Sequence, residues 1–174
     1  MTQKFNLPSN WNDVKLYQYQ DLVKLNSEGK TIFEKYIEYL SILTDSEVEE
    51  WEDMDIEEVG QLIRSLEWLK KQPSSNFKTN VGRFQLIDFK YLTLGQFIDI
   101  NYFRKDLYQN FHLILSILYR QTKKNDWANV IIEPYGDIDI YERSEEFLDL
   151  SINDVYGVIN HFNVFDENFR ETYK

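Results

Sequence analysis

Few residues of this 174-residue chain combine the type and the spacing that catalysis or metal binding requires. His112 and His161 each lack a second His or Glu four residues away, the spacing that places two metal ligands on one helix face. His112 also lies in the most apolar stretch, which favours a packing role for its ring. The chain has no cysteine, so it offers no thiolate ligand or nucleophile. We therefore predict no catalytic, cofactor-binding or metal-ligating residue, and no cofactor.

The densest group of ionisable side chains is acidic: nine carboxylates stand in the fourteen residues from Asp45 to Glu58. They lack the alternating Asp residues, the glycine and the final Glu of a calcium-binding loop. A solvated run at helix starts is one interpretation, and a binding surface is the other. Motifs for phosphate loops, dinucleotide binding and nucleophile elbows do not occur. An enzyme would have to assemble its site from dispersed carboxylates around His112, which we keep as an alternative.

The net charge of -11 is unevenly distributed along the chain. Residues 1–72 carry a net charge of -7, residues 73–132 carry +4 and residues 133–174 carry -8. Segments of opposite sign favour head-to-tail contact between copies or docking onto a basic partner, and a merely soluble surface is the alternative. The acidic balance argues against nucleic acid as a partner. No run approaches the ~20 apolar residues of a membrane span, so we expect no membrane partner and a cytoplasmic location.

Helical periodicity dominates the first module of the chain. Apolar residues at spacings of three and four predict a short helix over about 14–25 and a second helix from Thr31 to Leu43. A third helix is predicted from Asp55, its N-cap, to Lys71. Thr44 and Glu47 have the spacing of a capping box, which predicts a helix start between these two helices.

The remainder of the chain mixes helices with short strands. Thr93 and Gln96 form a second capping box, and from about Asp106 the most apolar helix begins, which we expect to be central and buried on more than one side. Alternation predicts a strand over about 83–89. Val130–Ile132 and Ile138–Ile140, separated by a turn, predict a hairpin.

Several segments recur along the chain. Val14–Leu22 aligns with Leu92–Ile100, and the tetrapeptide Leu40–Leu43 repeats as Leu115–Leu118. Five apolar positions from Ile56 to Leu66 also match five others at a constant offset of 96 residues. We therefore predict a mainly α fold, α+β at most, built from two related three-helix modules with a small β hairpin or strand pair inserted. The modules are 1–72 and 92–174, joined by a strand or loop over 73–91, with the hairpin near 130–141; chance similarity of amphipathic helices is the alternative.

Three of these stretches carry a resemblance to a known group of proteins. Leu7–Tyr19 (LPSNWNDVKLYQY), Leu40–Val48 (LSILTDSEV) and Tyr91–Ile100 (YLTLGQFIDI) resemble small proteins encoded among the structural genes of tailed bacteriophages, including phages of gut Bacteroidetes. Some of those proteins are similar in size and helical content to tail assembly chaperones, and others are taken to be virion components. The resemblance implies a non-enzymatic role in phage morphogenesis. Its partners would be other phage structural proteins, or further copies in a ring or oligomer, in the host cytoplasm during assembly or in the virion.

Aromatic side chains are the candidate contact residues, because Tyr and Trp dominate interface energies. Core burial is the rival interpretation for each. An acidic inhibitor of a host protein is the alternative within the same class. The candidates are Tyr17, Trp51, Trp68, Trp127, Phe165, Phe169 and Tyr173.

Overall fold

The computed structural model describes residues 5–26, 28–124 and 130–172 of the chain. Helices account for most of these residues, and a small antiparallel sheet accounts for the regular remainder. The predicted fold class, mainly α with a small β insertion, is confirmed. The helices are α1 (Leu16–Lys24), α2 (Ile32–Thr44), α3 (Glu49–Glu52), α4 (Ile56–Ser65), α5 (Leu94–Phe103), α6 (Phe111–Leu118), α7 (Ile140–Leu148), α8 (Ile152–Val155) and α9 (Gly157–Thr172).

Short 3-10 segments and four strands connect the helices. The strands lie in the sheet in the order β1-β2-β3-β4, and every neighbouring pair is antiparallel. They are β1 (Asn80–Val81), β2 (Phe84–Leu86), β3 (Tyr119–Lys124) and β4 (Val130–Ile132). The 3-10 segments are Trp11–Asp13, Leu66–Lys70, Phe89–Tyr91, Arg104–Asp106 and Tyr135–Asp137.

Helix α6 lies at the centre of the core. Seven of its eight residues are buried, and it packs against α5 and α7. Its sequence, FHLILSIL, is apolar around almost its whole circumference, so it cannot present a face to water without exposing apolar surface. The expected burial of this helix on more than one side is therefore confirmed. The buried residues of both predicted modules form one hydrophobic cluster, so residues 1–72 and 92–174 share a core.

The helix starts follow local hydrogen bonding, with one correction. The Thr93 hydroxyl accepts from the Gln96 N–H and the Gln96 side chain accepts from the Thr93 N–H, so the capping box predicted there is confirmed. Asp55 likewise caps α4 as predicted. The box predicted at Thr44 is wrong, because the Thr44 hydroxyl donates to the Leu40 carbonyl and the next residue, at φ 53°, ends α2.

The predicted hairpin over residues 130–140 is half right. Val130–Ile132 is a strand, but its partner is β3 rather than Ile138–Ile140. Asp139 instead accepts hydrogen bonds from the N–H groups of Tyr141 and Glu142, which makes it the N-cap of α7. The predicted strand over 83–89 is confirmed only in part, as β2.

Backbone hydrogen bonds join the start of the first predicted module to the second module. The Leu16 N–H donates to the Leu150 carbonyl and the Ile152 N–H donates to the Val14 carbonyl, so α1 and α8 start side by side. Nearby, the loop after Pro73 crosses the start of α9. A Cβ on Gly157 would stand 1.9 Å from the Ser75 carbonyl oxygen, so only glycine fits at this crossing.

We expect Gly157→Ala to destabilise the protein by about 3 kcal/mol, because the added methyl meets backbone that cannot rotate away. Gly60→Ala is the matched control: its Cβ would meet nothing closer than a side-chain atom of Arg64 at 3.9 Å, in the helix α4. Alanine there should raise the free energy of unfolding slightly, since it favours helix over glycine. Urea unfolding of both variants measures the difference, and an equal effect of the two substitutions would refute the close crossing.

Candidate interaction surfaces

Helix α5 has two apolar faces, one buried and one exposed. Ile100 and Phe103 point into the core, whereas Leu94 and Ile98 are 74% and 55% exposed on the opposite side. Tyr102, 62% exposed, extends this row at its C-terminal end, and Tyr91, 65% exposed, lies in the 3-10 segment just before the helix. We call Tyr91, Leu94, Ile98 and Tyr102 the α5 stripe. Large apolar side chains aligned on one helix face, rather than scattered singly, are typical of contact sites.

The order of side chains in the α5 stripe is nearly palindromic. A tyrosine stands at each end and an aliphatic residue follows on the inner side of each. The ammonium of Lys90 lies 4.9 Å from the centre of the Tyr91 ring, and that of Lys105 lies 5.3 Å from the centre of the Tyr102 ring. The sequence contains a signal for this surface, because α5 is apolar around most of its circumference. The prediction of contact residues relied on tryptophans and C-terminal aromatic residues instead, and so it missed this helix face.

A buried glutamine sets the rotation of α5. The Gln96 side chain accepts from the Thr93 N–H at 3.0 Å and donates from Nε2 to the Ile117 carbonyl at 3.3 Å. The second bond ties the first turn of α5 to the end of α6. Since Gln96 must point inward to make it, Leu94 and Ile98 on the far side must point outward.

A buried charge cluster supports the other side of α5. The Tyr135 hydroxyl donates to Asp99 at 2.6 Å, and the Arg120 guanidinium lies 5.3 Å from the centre of the Tyr135 ring. Arg120 is only 1% exposed. Arg120 donates a hydrogen bond to the Glu133 carbonyl. The Glu133 carboxylate accepts hydrogen bonds from both terminal nitrogens of Arg143.

Burial and pairing act against each other in this cluster. Burial lowers the pKa of Arg120 below its ordinary value. Burial alone would raise the pKa of Glu133, but the bonds from Arg143 and the Gln121 N–H outweigh it and hold that pKa below its ordinary value. The Glu133 carboxylate is therefore ionised at neutral pH, and it lies against the guanidinium groups of both Arg120 and Arg143 in a largely buried place.

Two grooves open on the surface of the first module. One, of about 400 Å³, lies between α2 and α3 and has Phe33, Ile37, Val48 and Trp51 as its apolar lining. Three glutamates and Lys30 stand at its edges. The other, of about 440 Å³, is lined mainly by aromatic and aliphatic side chains with two lysines. Its lining residues are Trp11, Tyr19, Leu22, Val23, Ile32, Lys35, Tyr36, Tyr39, Leu66, Leu69 and Lys70.

Two of the tryptophans predicted as contact residues, Trp51 and Trp68, pack against other side chains of the same chain. Trp51 is 3% exposed, stacks on Phe5 at 4.2 Å and donates from Nε1 to the Ser46 hydroxyl. Trp68 is half-buried with its ring edge-on to Trp11 at 5.0 Å. Trp51 therefore serves mainly as core. Trp127 lies outside the described residues.

The C-terminal aromatics form part of a packed row. Phe165 is half-buried between Phe89 and Phe162, and Phe169 is 43% exposed with its ring 5.5 Å from Phe97. This row holds α9 against α5 instead of leaving α9 free. Tyr173 lies outside the described residues. Tyr17, the remaining candidate, is half-buried and donates its hydroxyl to Asp45.

The histidines sit in packing environments. His112 is half-buried, its Nδ1 lies 3.0 Å from the Gln20 side-chain nitrogen, and burial lowers its pKa. His161 packs between Phe77 and Phe89 at ring-centre distances of 5.3 and 4.9 Å. Across residues 5–26, 28–124 and 130–172, no group of three or more acidic or histidine side chains could hold a metal ion. In the same residues no helix is both long and apolar enough to cross a bilayer.

Several basic side chains of residues 73–132 form ion pairs within the chain. Lys78 pairs with Asp154 at 2.8 Å, Arg104 pairs with Asp166 at 3.0 Å, and Arg83 pairs with Glu146. Each pair joins residues 73–132 to residues 133–174. The basic segment and the C-terminal acidic segment therefore pair in part within one molecule, rather than only between copies.

No protein-family model, curated protein or solved structure matches the chain in the comparisons made.

We expect Glu133→Gln to destabilise the protein by about 3–5 kcal/mol at pH 7, because two guanidinium groups lose their carboxylate. The folded-state pKa of Glu133 is lowered, so its stabilising contribution is present above the unfolded-state value of 4.5 and is lost as the pH falls through the lower folded value. The gap between wild type and variant should therefore shrink in acid.

Urea unfolding at a series of pH values measures this gap. Glu142→Gln is the control, since it makes the same chemical change at an exposed glutamate, in helix α7. A gap that stays constant from neutral to acid pH would show that the charge of Glu133 does not matter.

Proposed function

We propose that this chain is a non-enzymatic protein of bacteriophage morphogenesis that works by protein contact, and that two copies pair through the α5 stripe. The phage assignment is supported by the resemblance of three stretches to phage structural-gene products. The observation that carries the contact role is the exposed row of Leu94, Ile98 and Tyr102 on the outer face of α5, with Tyr91 exposed just before the helix. Apolar burial is the dominant driving force in association, and this row is left in water in the single chain.

The stripe is suited to pairing with itself. If two α5 helices pack antiparallel about a twofold axis, each Tyr91 meets a Tyr102 and each Leu94 meets an Ile98 of the other copy. A twofold interface requires such self-complementarity. Both ends also carry charges of both signs, Asp88 and Lys90 at one end and Lys105 and Asp106 at the other. Neither end therefore brings only like charges together.

The exposed area of the stripe is at the low end of the range for protein interfaces. Four side chains of this size expose on the order of 500 Å² together. A standard interface buries ~800 Å² per partner, so the stripe alone gives a smaller and weaker contact than the standard size. In an assembly role, the dimer acts as a tail assembly chaperone or as a virion component such as a head–tail connector or tail ring. Its further partners are other phage structural proteins.

The double variant Leu94→Glu with Ile98→Glu should convert a dimer into a monomer of 21.1 kDa. Burying two carboxylates at the centre of an apolar contact costs more than the contact provides. Light scattering coupled to gel filtration measures the mass. Val164→Glu places one such carboxylate at another exposed apolar position, in α9, and should leave the dimer intact. A monomeric wild type at all accessible concentrations would contradict the pairing.

Mass spectrometry of purified phage particles tests the morphogenesis role. A virion component should be present in fixed stoichiometry. A chaperone should be absent from particles but co-purify with a tail subunit from infected cells. Absence from both preparations would contradict a role in assembly, whatever the oligomeric state of the isolated chain.

A further inference from the structure

The groove between α2 and α3 differs from the rest of the surface in combining an apolar floor with an acidic edge. Phe33 and Val48 line it and are 47% and 38% exposed, while Ile37 and Trp51 close it from the core side. Its volume of about 400 Å³ holds two or three apolar side chains. In the single chain the apolar floor of the groove is in contact with water. The groove is therefore an open binding site for apolar side chains.

The edge of this groove carries Glu34, Glu38 and Glu52. One carboxylate oxygen of Glu38 bonds to Lys30, while the other is shielded from water and has no hydrogen-bond partner in the described chain. The Thr31 N–H and hydroxyl bond to Glu34 and hold its pKa below the ordinary value.

The acidic run from Asp45 to Glu58, which contributes Glu52 to the groove, continues the negative charge along the chain. All nine carboxylates from Asp45 to Glu58 are exposed, and in the part of the chain that the structure describes none of them forms an ion pair. The C-terminal acidic segment is different, because Glu133, Glu146, Asp154 and Asp166 are paired with cations of the same chain. Unpaired charge of one sign around a cleft raises the local concentration of oppositely charged partners.

We propose that this groove binds a basic amphipathic helical segment of another protein. Apolar side chains of the segment at positions i, i+3 and i+4 occupy the space between Phe33 and Val48. Lys or Arg residues beside that apolar row meet Glu34 and Glu52. An acidic segment would be repelled by the same edge, so the charge distribution selects the sign of the partner.

A second copy of this chain is a poorer occupant. The most exposed apolar helix face it offers is the α5 stripe, whose ends carry Asp88 and Asp106 as well as Lys90 and Lys105. Those aspartates would face the glutamates of the groove. The α2–α3 groove and the α5 stripe are separate surfaces, so this inference holds whether or not the chain dimerises.

The test is fluorescence anisotropy with a short labelled peptide of Lys and Leu, in which Leu recurs at helical spacing. It should bind with a dissociation constant that rises with salt. Val48→Ser should weaken binding about fivefold through lost apolar contact. Glu52→Lys should weaken it by about tenfold at low salt, since it reverses one charge of the edge. All measurements use the full chain carrying the Leu94→Glu and Ile98→Glu changes, so that dimerisation does not enter.

Matched controls separate a specific groove from general acidity. Val164→Ser and Glu167→Lys make the same chemical changes at exposed positions of α9 and should leave binding unchanged. A peptide of the same composition with scrambled spacing should bind at least tenfold more weakly. Equal weakening by Glu52→Lys and Glu167→Lys, or equal binding of the scrambled peptide, would overturn the proposal. Concentration-dependent self-association that Val48→Ser abolishes would assign the groove to a second copy and would overturn it as well.

Discussion

The carbonyl groups at the C-terminal end of α6 impose the constraint on which the rest of the fold depends. The last four carbonyls of any helix lack a partner inside that helix, and α6 ends in the core, where water cannot supply one. The chain meets this demand from three directions. The Tyr119 N–H bonds back to Leu115, Gln96 donates to Ile117, and the Ile87 N–H donates to Leu118. Those bonds place α5, β2 and β3 around the end of α6, and the orientation of α5 leaves Leu94 and Ile98 in water.

The same arrangement occurs in the first module. Gln18 accepts from the Lys15 N–H at 3.0 Å and donates to the Ile42 and Leu43 carbonyls at 3.2 Å. Gln18 aligns with Gln96, and Ile42 aligns with Ile117 in the repeated tetrapeptide, so each glutamine joins equivalent positions of its own module. The burial of the third segments differs, since Ile56 is exposed and its counterpart Ile152 is fully buried. A tandem duplication accounts for the shared glutamine bond and remains a hypothesis for the third helices.

Local signals in the sequence were sufficient for the helices and insufficient for the sheet and the site. Periodicity and capping identified α5 with its start residue, and they identified α6, because those signals depend on neighbours within four positions. The start of α6 is Phe111 rather than about Asp106, because Arg104–Asp106 forms a 3-10 segment and a turn follows it. The capping box predicted at Thr44 is wrong because a threonine hydroxyl can also bond to a carbonyl of the preceding turn. At Thr44 that acceptor is the Leu40 carbonyl. β3 has no apolar alternation: Arg120 is buried there only because Glu133, far along the chain, neutralises it. Tryptophan content likewise pointed to Trp51 as a contact, whereas its burial depends on packing that sequence spacing does not encode.

The two surfaces of the chain have different consequences for assembly. A twofold contact through the α5 stripe is self-limiting, because both copies use the same surface and none remains for a third. A ring or connector therefore cannot be built from this contact alone. Further growth needs a second, non-equivalent surface, and the α2–α3 groove has the opposite character: apolar, of one charge sign and not self-complementary. Each dimer would carry two such grooves, so a partner that presents basic helices would be bound twice and held more tightly than by one groove. The acidic residues around the groove would then contribute to recognition of a basic partner, whereas the ends of the α5 stripe carry charges of both signs.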